Sequence, residues 1–168
     1  MLSELKIMNK KHIVINMSQL LLGLIFLGSN GCHSIDNRGS TTNSIQVMYP
    51  KETLVLKKGL EIYFKNKSTE IDEQYQPTLL VASQLLKNNK NFVLQIDGHS
   101  DSTGSLAANN KVSTIRANVV KDFMVREYQV NPNQLIATGL GPVKPIANNS
   151  TADGRAKNRR VTVTLKIQ

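Results

Sequence analysis

The chain has a single cysteine, Cys32, in 168 residues, which excludes an internal disulfide framework. It has no tryptophan, and aromatics make up only 5% of residues. A nucleic-acid surface built on base stacking interleaves aromatic and basic side chains, and no such stretch occurs; nucleic acid is not an expected partner. Histidine is scarce too: apart from His12 and His33 near the N-terminus there is only His99. Asp97, His99 and Asp101 therefore lack the further ligands that a closed metal site needs. No metal or other cofactor is expected, and His99 reads as a hydrogen-bonded structural residue. Ser100, Ser102 and Ser113 have no nucleophile-elbow pattern and no evident base with an orienting acid, so the chain does not read as an enzyme. Acidic residues are few, 12 against 21 lysines and arginines, for a net charge of +9. A basic protein suits an anionic partner, and cell wall, nucleic acid and anionic lipid all qualify on charge alone.

Long hydrophobic runs are also missing. The longest, Leu20 to Gly28, is short of the roughly 20 residues a membrane helix needs. With Lys10 and Lys11 before it and small residues after it, residues 1–31 read as an export signal. Met8 is an alternative start, since the lysines follow it directly. Ending at Gly31-Cys32, the segment resembles a bacterial lipoprotein signal, which implies that Cys32 is lipidated and becomes the new N-terminus. A plain signal peptide or an uncleaved anchor, with Cys32 incidental, is the alternative. His33, rather than Asp, after the cysteine fits outer-membrane retention. Three lysines against one glutamate up to Gly31 leave about +7 for the remainder.

Residues 32–50 are rich in Ser, Thr and Asn with no apolar period and read as a tether, or else as an arm packed on the domain. As a coil, the eighteen residues after Cys32 average on the order of 25 Å end to end and stretch to roughly 60 Å. Residues 51–168 form one domain, with a hydrophobic content of 40% over the whole chain that is enough for a core, and no internal repeat. Thr53 to Leu56 reads as a short strand and Leu60 to Phe64 as another. Pro77 suits a first helical turn, with Leu79, Leu80, Ala82, Leu85 and Leu86 as its apolar stripe. Phe92, Leu94 and Ile96 make one face of a strand. A long helix runs from Leu106 to Tyr128, and Leu135 to Thr138 is a short strand. Gly139 to Asn158 is irregular, with one helical turn around Thr151 to Lys157. Val161 to Ile167 alternates cleanly as a last strand. The order β-α-β-α-β-β predicts an α+β sandwich, with helices packed on one side of a mixed sheet.

The long helix carries an anomaly. With Val112 at zero and about 100° per residue, Ile115, Val119, Val120 and Phe123 fall between about −60° and +80°. Arg116 lies near +40° and Asn109 near +60°, inside that apolar arc. A buried guanidinium needs an anion. Asp101, in the polar loop before the helix, is the nearest candidate. Either the two form an internal ion pair that pins the loop, or they hold a zwitterion, Asp101 taking an ammonium and Arg116 a carboxylate. Ser102 or Ser105 caps the helix.

The run Gly98-His99-Ser100-Asp101-Ser102-Thr103-Gly104, followed by Asn109, Val112-Ser113 and Arg116-Ala117, resembles the OmpA-like peptidoglycan-binding domain, whose usual pattern is G-H-T-D-x-x-G and then N-x-x-L-S-x-x-R-A. Gly139-Leu140-Gly141, Pro145, Asn148 to Thr151, Gly154-Arg155 and Asn158 to Val161 extend the likeness, which covers about Leu60 to Ile167. The resemblance implies that Asp101 and Arg116 grip the diaminopimelate side chain of the cell-wall peptide. Asn109, Ser100, Ser102 and Val112 would line the site, and Arg160, in the Asn-Arg-Arg run, would lie near it. Arg159 reads as surface. Ser100 stands for the common Thr and Val112 for the common Leu. Where the family often reads F-D-F-D-S, this chain has Phe64-Lys65-Asn66-Lys67-Ser68, with lysine in place of acid. The expectation is a lipid-anchored outer-membrane protein whose domain, in the periplasm, binds peptidoglycan without covalent chemistry. The alternative is a protein-interaction module of an envelope-spanning machine, with other envelope proteins as partners.

Overall fold

The computed structural model describes residues 49–66 and 68–168. The export signal, Cys32, the tether as far as residue 48, and Lys67 lie outside the described residues.

The described chain begins with a helix, α1 (Pro50–Lys58), where a strand over Thr53 to Leu56 is expected from the sequence. Helical signals win here. Proline opens the first turn, Glu52 sits at the positive end of the helix dipole, Lys57 and Lys58 sit at the negative end, and the Gly59 N–H closes the helix on the Val55 carbonyl. The buried residues are Thr53 and Leu56, three apart, whereas Leu54 and Val55 face solvent.

Strand β1 (Leu60–Tyr63) is followed by a turn and helix α2 (Gln76–Asn88), which has Pro77 in its first turn. Leu79, Ala82, Leu85 and Leu86 bury as expected, but Leu80 is 43% exposed and Val81 takes its place inside. Strand β2 (Phe92–Gly98), helix α3 (Leu106–Tyr128), strand β3 (Leu135–Gly139), helix α4 (Ala152–Asn158) and strand β4 (Arg160–Ile167) complete the fold. Helix α4 is a full short helix in the stretch that the sequence marks as irregular with one turn.

The sheet order is β1-β4-β2-β3; β4 runs antiparallel to both neighbours and β2 pairs parallel with β3. The register aligns Leu60 and Ile62 with Val163 and Val161, and Leu94 and Ile96 with Leu165 and Val163. These side chains share one face and form the core with Leu56, Leu79, Leu85, Val120 and Met124 from the helices. Each fully buried aliphatic contributes about 1.5–3 kcal/mol. The opposite face carries Glu61, Gln95, Asp97, Arg160, Thr162 and Thr164. Alternation ends at Ile167, which is 76% exposed. Over the described residues the architecture is α+β, a mixed four-stranded sheet with four α-helices.

Two glycines decide where α3 lies. A Cβ on Gly98 would collide with the Ser113 carbonyl oxygen, and one on Gly139 would collide with Thr114. Their absence lets the helix backbone rest directly on the ends of β2 and β3. Its buried residues are Asn109, Ser113, Arg116, Ala117, Val120 and Met124. That face is rotated from the expected apolar arc, because small and polar side chains permit the closer approach; Ile115 points to solvent.

Candidate ligand-binding site

Beyond Gly98 the chain leaves the sheet as His99, Ser100 and Asp101. The His99 N–H donates to the Arg160 carbonyl (2.8 Å) and the Ser100 N–H to the Gly141 carbonyl (3.0 Å), so both flanks of the loop are pinned. The Thr103 N–H donates to Asp101 Oδ1 at 2.8 Å, a local turn that fixes the carboxylate. Ser105, not Ser102, caps α3, its Oγ accepting from the Ala108 N–H at 3.2 Å. Asn109 Nδ2 donates to the Thr103 carbonyl, folding the loop onto the first turn of the helix (3.1 Å).

A second loop closes the other side. Asn158 at the end of α4 is fully buried, and its Oδ1 accepts from the Ile146 and Ala147 N–H groups (2.8 and 3.1 Å). Its Nδ2 donates to the Ala147 carbonyl and to Asn149 Oδ1 (2.8 and 2.9 Å). Asn149 Oδ1 also accepts from the Ser102 N–H at 3.2 Å, joining the two loops.

Between them lies a cleft of about 340 Å³ lined by Asn66, Ser100, Asp101, Thr103, Asn109, Val112, Arg116, Arg155 and Arg159. Five residues singled out from the sequence, Ser100, Asp101, Asn109, Val112 and Arg116, are thus brought together. Ser102 and Arg160 are not among the lining residues. Arg160 points to the other face of the sheet, where Nε lies 3.1 Å from Glu61 Oε2 and Nη2 donates to the Lys144 carbonyl at 3.3 Å. The Glu61 contact is a charge pairing; the Nε–H is not aimed along it.

The internal Asp101–Arg116 ion pair, one of the two alternatives that the sequence leaves open, is not formed. Asp101 Oδ2 accepts from Arg159 Nη1 at 3.0 Å, and Arg116 is not its partner. Arg159, read from the sequence as surface, is therefore part of the site. Burial raises the Asp101 pKa, but the Thr103 amide and the Arg159 guanidinium outweigh it and hold the carboxyl below its ordinary value. Arg116 is 2% exposed, with its guanidinium carbon 5.3 Å from the Phe64 ring centroid. Its Nε has no hydrogen-bond partner, and none of the described residues makes a salt bridge to it. Burial and then the Arg159 charge push its pKa down, with Asp101 opposing; a guanidinium still stays protonated. The Ser100 Oγ, buried in the same wall, also lacks a partner. Three arginines against one carboxylate give the cleft a surplus of positive charge.

Arg155 and Arg159, four apart at the end of α4, are the residues that sequence reasoning missed, together with Asn66 and Thr103. A signal for Arg159 was present. Extending the β4 alternation back by one residue puts Arg159 on the Val161 side, toward the helices, and Arg160 on the other. His99 also differs from expectation: its Nδ1 is buried without a partner. Burial and then the Arg160 charge hold its pKa at about 4, against the pull of Asp97.

Residues 63–159, more than half the chain and all of the cleft lining, match the OmpA family. Outer membrane protein Omp38 of Acinetobacter baumannii is 38% identical over 106 residues, 63% of this chain and 30% of that protein. The peptidoglycan-binding protein ArfA of Mycobacterium bovis is 44% identical over 70 residues, 42% of this chain and 21% of that protein. This chain thus matches less than a third of the length of either relative. Among solved structures, the peptidoglycan-associated lipoprotein of Burkholderia pseudomallei superposes with a TM-score of 0.59 at 28% identity, covering 63% of this chain and 89% of that one. The fold, the glycine-seated helix and the matched span agree: the chain belongs to the OmpA family.

Proposed function

We propose that the domain binds peptidoglycan non-covalently by gripping the free amino-acid end of diaminopimelate in the stem peptide. Asp101 takes the ammonium and Arg116 the carboxylate, with Asn109, Ser100 and loop amides completing the hydrogen bonds. The observation that carries this reading is Arg116, a buried cation stacked on Phe64 with no anionic partner among the described residues, in a cleft that also holds Asp101. Leaving such a charge unpaired costs several kcal/mol, and a ligand carboxylate removes that cost. Asp101 is oriented by Thr103 and Arg159 and keeps lone pairs for an incoming ammonium. Charge-assisted bonds contribute about 1.5–3 kcal/mol each, so a few reach the roughly 8 kcal/mol of micromolar affinity. The names of ArfA and of the peptidoglycan-associated lipoprotein support the same ligand. Lipidated at Cys32 and exported, many copies in the outer membrane would hold it to the wall collectively.

The test is co-sedimentation of the protein with purified sacculi, with and without free diaminopimelate. Wild type is expected to sediment, and both the competitor and Asp101→Ala are expected to release it. Sedimentation that ignores both would put a protein-interaction role ahead.

A further inference from the structure

A second groove, of about 760 Å³, opens beside the cleft, lined by Tyr63, Phe64, Lys65, Asn66, Asp153, Ala156, Lys157 and Arg159. Asn66 and Arg159 line both spaces, so the two are continuous along one wall. Its floor is aromatic and small: Phe64 is buried, Tyr63 is 42% exposed and Ala156 faces solvent. Its rim is basic, with Lys65 and Lys157 exposed against the single carboxylate of Asp153. Neither lysine makes an ion pair among the described residues. Arg159 is already committed to Asp101. The groove therefore offers two uncommitted ammonium groups over an apolar floor, beside the cleft with which it shares Asn66 and Arg159.

We propose that this groove takes the neighbouring residue of the same stem peptide and that Lys65 and Lys157 read its carboxylate. The inference rests on the diaminopimelate reading of the cleft. The residue joined to the diamino acid in such a peptide is a glutamate linked through its side chain, which leaves its α-carboxylate either free or capped as an amide. A peptide seated in the cleft continues into the groove along the wall that Asn66 and Arg159 share. The acid form matches the two lysines. The amide form carries no charge and forfeits the attraction, so the domain discriminates between wall peptides that differ only in this cap.

Calorimetric titration of the full chain separates the cases, using three ligands: free diaminopimelate, a soluble muropeptide with the free glutamate carboxylate, and the same muropeptide amidated. The acid form is expected to bind roughly three- to tenfold more tightly than the amide, as suits two solvent-facing charge pairs. The Lys65→Gln/Lys157→Gln double variant should bring the two muropeptides to equal affinity and leave free diaminopimelate unchanged. Both side chains are exposed, so the variant keeps the fold. Equal affinity of wild type for acid and amide overturns the groove assignment. Failure of free diaminopimelate to bind overturns the cleft assignment instead, and the acid–amide difference is read independently of it.

Discussion

Asn158 and Arg116 are both buried polar side chains at the same end of the molecule, yet they are treated in opposite ways. Asn158 spends its amide on four hydrogen bonds, all within the protein. Arg116 keeps its cation over Phe64 with its Nε unbonded. The first pattern is what folding stability requires of a buried amide. The second costs stability, and it persists where a group is held ready for something outside the chain. Arg159 and Arg160 repeat the lesson as sequence neighbours. One lines the cleft and orients Asp101; the other pairs with Glu61 behind the sheet.

The contrast predicts separable losses. Arg116→Met keeps the packing over Phe64 and removes the charge. Sacculus binding should fall on the order of 100-fold, the value of one or two charge-assisted bonds, while the melting temperature holds or rises. Loss of binding together with a collapse in melting temperature would make Arg116 structural and break the comparison. Asn158→Ala should do the reverse. It strands two backbone amides and a carbonyl of the 146–147 turn and leaves a cavity at a fully buried position, and denaturant titration should show a loss of about 2–4 kcal/mol. Binding then weakens only through the loosened Asn149 loop.

The smallest expected effect concerns acid. His99 has a folded pKa of about 4, below its ordinary value, so its neutral form is the one the fold favours. The unfolded chain takes up a proton below about pH 6.5 and the folded chain only near 4. Its contribution is therefore present above pH 6.5 and is lost as pH falls toward 4, by about 1–3 kcal/mol. Asp101, with its pKa lowered, adds a further loss at still lower pH. Melting temperatures taken between pH 7 and 4 should fall for wild type and stay flatter for His99→Gln. Equal slopes would remove His99 from the account.

How far the sequence can be read divides along range. Helix α3 runs over the expected residues because its ends are local: Ser105 caps one, and Gln129 in a left-handed conformation closes the other. Strand β4 follows from alternation, which is a property of neighbours. Helix α1 was misread as a strand because Thr and Val suit strands, while Pro50, the terminal lysines and Gly59 carried the stronger message. Asn109 and Arg116 were legible because polar residues on an expected buried face stand out, and Asp101 because it is the acid nearest to them in the loop before the helix. Their connections were not, since Asp101 meets Arg159 across 58 residues of chain. The sequence alone determined α2, α3 and the four strands, and that polar Asn109 and Arg116 sit on the buried side of α3. Only the tertiary structure decided that Arg159 takes the carboxylate and leaves Arg116 open. Local propensity acts over a few residues, whereas the choice of ionic partner depends on which backbones the Gly98 and Gly139 contacts allow to approach.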